Sequence, residues 1–243
     1  MPNDWIGALI LMAYYLVTCF VLPVMLKAWA GVPNEWARKL QHVAYSLSVF
    51  ILLQLFSAWY IAIGAAFLLV LVAYPVLKLI ENTRFYRRLL TDRTSRGGEL
   101  RKQMLYVQVT FAILIFIYWG VLGTQWQYIV AVAVMAWGFG DAAAALIGKS
   151  FGKRRVLHSL IEGAKTYEGT AAMILAAGLA CFLTLLLYAG LPWYTSLLIG
   201  LIIGPVCGIV ELFSRRGTDT FTVPLSAAAL ILPLAYLFSL AGW

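Results

Sequence analysis

Charge is what this sequence has least of. Asp, Glu, Lys and Arg make up 12% of its 243 residues, where soluble domains carry roughly a quarter. A chain so poor in charge does not fit an ordinary soluble domain, and no nucleic-acid-binding module pattern accompanies its basic residues. Cysteine is equally scarce. Cys19, Cys181 and Cys207 stand singly inside apolar runs. With no CxxC or Cys/His spacing they read as packing residues rather than metal ligands. Period-two alternation is missing, which excludes a membrane barrel. No small-residue cleavage site follows the first apolar run, so that run reads as a span and not as a signal peptide. There is no internal repeat and no stretch long enough for a second, soluble domain.

What remains is apolar: 63% of the chain is hydrophobic. The runs approach the roughly 20 residues that cross a bilayer, and backbone groups in lipid must be satisfied within the segment, so the runs are expected to be helices. The reading is an all-α polytopic membrane protein of about eight transmembrane helices, near 5–26, 40–56, 59–79, 104–122, 126–147, 170–189, 194–213 and 221–240. The whole chain, 1–243, is expected to form a single integral-membrane catalytic domain. The second span is the weakest, being short and starting beside charges.

The few charges are ordered. All 18 Lys and Arg residues fall in alternate connections. Lys27, Arg38 and Lys39 form the first group. Lys78, Arg84, Arg87, Arg88, Arg93, Arg96, Arg101 and Lys102 form the second, around a stretch from Thr91 to Gly98 that reads as flexible. Lys149, Lys153, Arg154, Arg155 and Lys165 form the third, and Arg215 and Arg216 the last. The turns near Ser57, Gly123 and Gly190 carry none. The positive-inside rule then puts the basic loops in the cytoplasm and both termini on the other side. Nine of the ten acidic residues, all but Asp4, fall on or near the basic side, so polar chemistry is expected to face the cytoplasm.

Four blocks carry the candidate chemistry. In Gly138–Thr170, Asp141 closes an apolar run, a loop rich in glycine and lysine follows, and Lys165, Glu168 and Gly169 lead into the next run. Ionisable groups beside lipid are costly and mark functional sites. Ala143–Ser150 mimics a relaxed phosphate loop, but that motif needs a strand before its glycines, and here a helical segment precedes them. Gly140, Ala144 and Gly148 instead form a small-residue stripe suited to close helix packing. Asp141 is either a Mg²⁺ ligand, since this cation takes one or two carboxylates together with phosphate oxygens, or a buried aspartate bonded to a neighbouring helix. Gly148, Lys149, Gly152 and Lys153 combine close backbone approach with point charges for phosphate. Lys165 precedes a helix N-terminus, which itself attracts phosphate. Glu168 there is either a metal ligand or a cap. The second block is Glu35, Arg38, Lys39 and His42, of which Glu35, Arg38 and His42 fall on one face of a helix; it reads as an interfacial anchor or as a face meeting phosphates or a substrate hydroxyl. The last blocks are Glu211, at the end of a run carrying Gly200, Gly204, Pro205 and Gly208, and Asp219 in the turn after it, a second candidate metal carboxylate.

Arg38–His42 (RKLQH), Gly140–Lys153 (GDAAAALIGKSFGK), Lys165–Thr170 (KTYEGT) and Glu211–Leu225 (ELFSRRGTDTFTVPL), in this order, resemble the CTP-dependent membrane lipid kinases. These are the dolichol, phytol and diacylglycerol kinase type, distantly related to phosphatidate cytidylyltransferase. The resemblance implies a multi-span enzyme that moves the γ-phosphoryl of CTP to a polyprenol or isoprenoid alcohol, or to diacylglycerol, at the cytoplasmic face. It implies catalytic roles for Asp141, Lys165, Glu168 and His42. Phosphate contacts would come from Gly148, Lys149, Gly152, Lys153, Lys165, Gly169, Arg38 and Lys39. Mg²⁺ would be held among Asp141, Asp219, Glu168 and Glu211. CTP, a membrane lipid alcohol and the bilayer are the expected partners, with no nucleic acid; oligomeric state is not legible. Thr220 departs from the Asn that many relatives place after the aspartate. Residues 214–225 hold one Asp and no His, unlike the long cytidylyltransferase signature, so that enzyme is the alternative. A transporter of lipid phosphates or anions is the second alternative, set back by the clustering of charge at one face.

Overall fold

A computed structural model describes residues 4–28, 30–80, 83, 99–161, 165–215 and 217–240. The basic residues Arg84, Arg87, Arg88, Arg93, Arg96 and Arg216, and the stretch from Thr91 to Gly98, lie outside these described residues. The described chain is helical, and its one β-type pairing is an isolated bridge between Arg155 and Thr166. Eight long helices follow one another. α1 covers Asp4–Ala28, with a π-helical turn at Val17–Val21. α2 is Asn34–Gln54 and α3 is Trp59–Ile80. α4 is Glu99–Ile115, running on as a π-helical turn at Phe116–Val121. α5 is Tyr128–Phe151, α6 Tyr167–Leu187, α7 Trp193–Phe213 and α8 Asp219–Leu240. The packing divides into two compact units, Met1–Phe116 and Ile117–Trp243.

All of these helices but α2 belong to seven segments long and apolar enough to cross a membrane, so the protein is an all-helical polytopic membrane protein. α2 departs from the expected 40–56. It starts at Asn34 and takes Arg38, Lys39, Gln41 and His42, all buried, into its first turns. It nevertheless covers the same depth as α1. The Asp4 carboxylate, at the start of α1, accepts hydrogen bonds from the Ser57 amide and hydroxyl, each at 2.7 Å. Further along, Tyr15 meets Ser48 at 2.7 Å, and Gln41 donates to the Cys19 carbonyl at 3.4 Å. α1 runs out and α2 runs back antiparallel to it. Twenty-one residues span about 31 Å at the helical rise, enough for the hydrocarbon core. α2 is polar because its inward face packs on protein, not lipid. Gln108 of α4 donates to the Tyr15 hydroxyl at 2.8 Å and the Tyr45 hydroxyl at 3.0 Å, as buried polar groups require.

In the second unit α5 packs on α6, α6 on α7, α7 on α8, and α8 returns to α5, closing a four-helix bundle. Every residue from Ile129 to Gly138 of α5 is buried, which is why this run is apolar on all faces. α6 instead exposes Leu175, Leu179, Leu183 and Leu187, one per turn, while Met173, Ala177 and Cys181 are buried. A stripe of that kind suits hydrocarbon. Glycine sets the α6–α7 spacing. A Cβ on Gly204 would stand 2.5 Å from the Ile174 carbonyl oxygen, and one on Gly200 would stand 2.8 Å from that of Gly178. All three cysteines are buried thiols.

Candidate active site

The site is assembled at one end of the second unit, from the C-terminus of α5, the loop after it, the N-terminus of α6 and the α7–α8 turn. α5 is longer than expected: the helix continues past residue 147, through Gly148, to Phe151, and Gly152 is its C-cap. Gly148, Lys149 and Ser150 are therefore helical, and the phosphate-loop mimic lies on a helix throughout. Gly148 packs where α5 crosses α6. A Cβ added to it would lie 3.2 Å from Thr166 Oγ1, and one added to Gly169 would lie 2.9 Å from the Ala144 carbonyl oxygen and 3.2 Å from Gly148 Cα. The small-residue stripe thus does what its spacing suggests, with Gly140 turned toward Met173 and Ala177. Asp141 is half-buried on the same helix, two turns before Gly148.

After Gly152 the chain folds back on itself. Val156 N donates to the Lys165 carbonyl at 2.9 Å, and Tyr167 N donates to the Arg154 carbonyl at 3.1 Å. This pairing carries Lys153 and Arg154 past the start of α6. Glu168 answers from the first turn of α6, where its carboxylate accepts from the Arg154 amide at 3.3 and 3.4 Å. The cap itself is Thr166, whose hydroxyl oxygen accepts from Gly169 N at 3.1 Å. Sequence reading passed over Thr166. The signal was available: a threonine three residues ahead of Gly169 and directly before an apolar run. Of the amides at this helix end, that of Gly169 is committed to the cap.

Lys165 reaches across to α7. Its Nζ donates to Glu211 Oε1 at 2.8 Å and to the Glu211 carbonyl, and the two side chains are 19% and 15% exposed. Two residues read separately, one for phosphate and one for metal, are partners. Beyond them Ser214 is buried, its hydroxyl within 2.6 Å of both the Val210 carbonyl and Thr222 Oγ1. Gly217 takes the left-handed φ of 78° that the turn demands. That turn delivers Asp219, half-buried, as the first residue of α8. Lys149 and Lys153 are exposed around this corner. His158 stacks edge-on with Phe213, ring centroids 6.2 Å apart. Arg38, Lys39 and His42 belong to the first unit. There Arg38 pairs with Glu35 at 2.5 Å, and Gln103 Nε2 donates to His42 Nδ1 at 3.1 Å.

Among the described residues no three His, Cys, Asp or Glu side chains are grouped as a metal cage. Mg²⁺ seldom uses one, keeping water and phosphate oxygens beside one or two carboxylates, so the oxygen donors of Asp141 and Asp219 are of the right kind and number.

No family model matches the chain, and no solved structure matches it. One curated protein aligns along nearly its whole length. This chain is similar to a phytol kinase. That enzyme, from Synechocystis sp., is 28% identical over 239 residues, an alignment covering 96% of this chain and 94% of the phytol kinase.

Proposed function

We propose that this protein is an integral-membrane lipid-alcohol kinase that transfers the γ-phosphoryl of CTP to a phytol-like isoprenoid alcohol. The observation that carries the reading is the similarity to a phytol kinase over 96% of the chain, which spans both compact units. The second unit offers suitable groups: cations at Lys149, Lys153 and Lys165, carboxylates at Asp141 and Asp219, and a glycine crossing between them. Phosphoryl transfer is mostly positioning and charge neutralisation, and these are the groups such a task needs. The alcohol oxygen forms a bond to Pγ, the bond from Pγ to the β,γ-bridging oxygen breaks, CDP leaves, and the hydroxyl proton passes to solvent water. Lys149 and Lys153 neutralise the triphosphate. Glu211 holds Lys165 in place beside the α6 N-terminus, and Glu168 fixes the loop that carries Lys153. Asp141 and Asp219 would hold Mg²⁺, which when bound offsets charge on the phosphate oxygens. The lipid chain lies along apolar helix faces, and the site faces the cytoplasm with both termini opposite.

The test uses purified protein in detergent with Mg²⁺, a panel of CTP, ATP and UTP, and phytol, farnesol, dolichol, undecaprenol and diacylglycerol as acceptors. Phytol with CTP is expected to give the highest yield of lipid monophosphate. Asp141→Asn is expected to lower turnover by about a hundredfold or more, the scale of one lost transition-state electrostatic partner, with its melting temperature retained. Full turnover in that variant contradicts the role of Asp141. A CDP-lipid formed from phosphatidate with release of pyrophosphate replaces the reading with a cytidylyltransferase. No nucleotide turnover with any acceptor returns it to a transporter.

A further inference from the structure

Gly148, Gly152 and Gly169 stand where the resemblance expects backbone to approach phosphate, yet all three converge on one side chain of the protein. A Cβ on Gly148 would stand 3.2 Å from Thr166 Oγ1, and one on Gly169 would stand 3.1 Å from the same atom. One on Gly152 would stand 2.7 Å from Thr166 Cγ2 and 2.8 Å from Oγ1, and would also strike the Gly148 carbonyl oxygen. The space a side chain would need at each glycine is therefore filled from within. Their amides are occupied as well. Gly169 N donates to Thr166 Oγ1 at 3.1 Å, and Gly152 N donates to the Gly148 carbonyl at 3.2 Å. Gly148 lies inside α5, where amides bond to carbonyls four residues back. A glycine loop that cradles phosphate needs the opposite, free amides turned toward the ligand.

Thr166 is 8% exposed and tied at every polar point of its backbone and side chain that faces α6. Its carbonyl accepts from the Thr170 amide at 3.0 Å and the Thr170 hydroxyl at 3.2 Å. Its bridge to Arg155 holds it against the returning loop. The groups around it carry the site's charge. Lys165 precedes it, with its carbonyl bonded to Val156 N, and Glu168 follows it, with its carboxylate on the Arg154 amide. A shift of Thr166 therefore moves Lys165 relative to Lys153. We propose that Thr166 is a positioning residue that sets the spacing between Lys165 and the loop carrying Lys153. Gly148, Gly152 and Gly169 are then glycines because they must admit Thr166, not because they contact phosphate. The effect on turnover rests on the kinase reading; the packing of the glycines does not.

The experiment uses purified full-length protein in detergent, with initial rates for CTP, Mg²⁺ and phytol and with melting temperatures taken without nucleotide. Valine keeps the shape of Thr166 without its acceptor, and serine keeps the acceptor without the methyl. Thr166→Val is expected to raise KM for CTP about tenfold, because nucleotide then has to restore an arrangement that the cap had favoured by about that factor. KM for phytol is expected to stay within about twofold, and Thr166→Ser to stay within about threefold of the parent for CTP, since its hydroxyl still accepts from Gly169 N. A lowered melting temperature with both KM values unchanged is what a purely structural cap would give, and it overturns the positioning role. An equal rise in KM for Thr166→Ser overturns the part given to the hydroxyl. The glycines are tested by a double-mutant cycle. Alanine is a better helix former than glycine, so Gly148→Ala is expected to raise the melting temperature of Thr166→Ala, where the methyl has room, and not that of the parent. The same change in both backgrounds overturns the claim that Gly148 admits Thr166. A parent that phosphorylates phytol while Thr166→Val matches it in both KM values defeats the positioning role alone. A parent with no turnover removes the kinase reading and that role with it, and the melting cycle still decides what the glycine is for.

Discussion

At the scale of single residues, Lys165 and Glu211 show how meaning changes with structure. They are 46 residues apart, and nothing in either's neighbours names the other. Both lie near the ends of apolar helices, where a lone ion is expensive and a pair is tolerated. Lys165→Met leaves Glu211 without its cation in a half-buried position. It is expected to lower stability by about 1–2 kcal/mol, a buried pair's cost discounted for the remaining exposure. Glu211→Leu alone is expected to do the same, and the double variant to recover part of the loss. Thermal unfolding in detergent of all four proteins gives the coupling directly, and purely additive losses contradict the pairing. As candidates these residues were legible in the sequence: Asp141, Lys165, Glu168, Glu211 and Asp219 stand out because ionisable groups are rare near apolar runs. Their partners were not. Pairing depends on which helix ends meet, and local pattern does not encode that. Thr166 was legible as a cap from its place three residues ahead of Gly169 and directly before an apolar run.

At the scale of elements, small residues did much of the specifying. Hydrophobic run length locates the helices to within a few residues. Helix ends were harder: α5 runs four residues beyond 147 because lysine and serine continue a helix as readily as they leave one. α2 was the element least legible. Its polar turns read as a weak span, and only the antiparallel match with α1, through Tyr15–Ser48 and Asp4–Ser57, shows why a polar helix persists there. The glycines of α7 read in the sequence as either a kink or a site of close packing, and α6 proves to be the helix they meet. Gly204→Ala tests that crossing. The added methyl meets only backbone, the Ile174 carbonyl oxygen at 2.5 Å and Gly178 Cα and N at 3.2 and 3.3 Å, so the helices must part. A loss of about 1–3 kcal/mol is expected, the usual cost of overpacking, measured as a lowered melting temperature in detergent. The same change at exposed Gly64, which has open space around it, is the control and is expected to be close to neutral. Equal effects at the two sites contradict the glycine crossing.

At the scale of the whole molecule, the placement of charge and aromatic residues bears on sidedness. α3, α5 and α7 each start beside an aromatic pair: Trp59 with Tyr60, Trp126 with Tyr128 and Trp193 with Tyr194. Trp and Tyr favour the membrane interface, and the adjoining turns carry no charge. The basic residues fall in the alternate connections, and that charge pattern is the ground for proposing a topology with the 152–165 loop in the cytoplasm and the turn at Ala189 outside; the aromatic pairs mark an interface without naming its side. The native thiols are buried, which leaves single introduced cysteines as clean reporters. Leu157→Cys, at a position 89% exposed, is expected to resist a membrane-impermeant maleimide in intact cells and to react in inverted vesicles. Ala189→Cys is expected to do the reverse. The opposite labelling pattern would put the candidate site outside the cell, away from nucleotide.

The central claim is that a terminal phosphoryl group moves to a lipid alcohol, and the position of a radiolabel tests it most directly. Purified protein is incubated with Mg²⁺ and phytol, once with CTP labelled at the γ-phosphorus and once with CTP labelled at the α-phosphorus, and the lipid fraction is counted. The account predicts label in the lipid from γ-labelled CTP and none from α-labelled CTP. Label arriving from the α-phosphorus, or from neither, contradicts it.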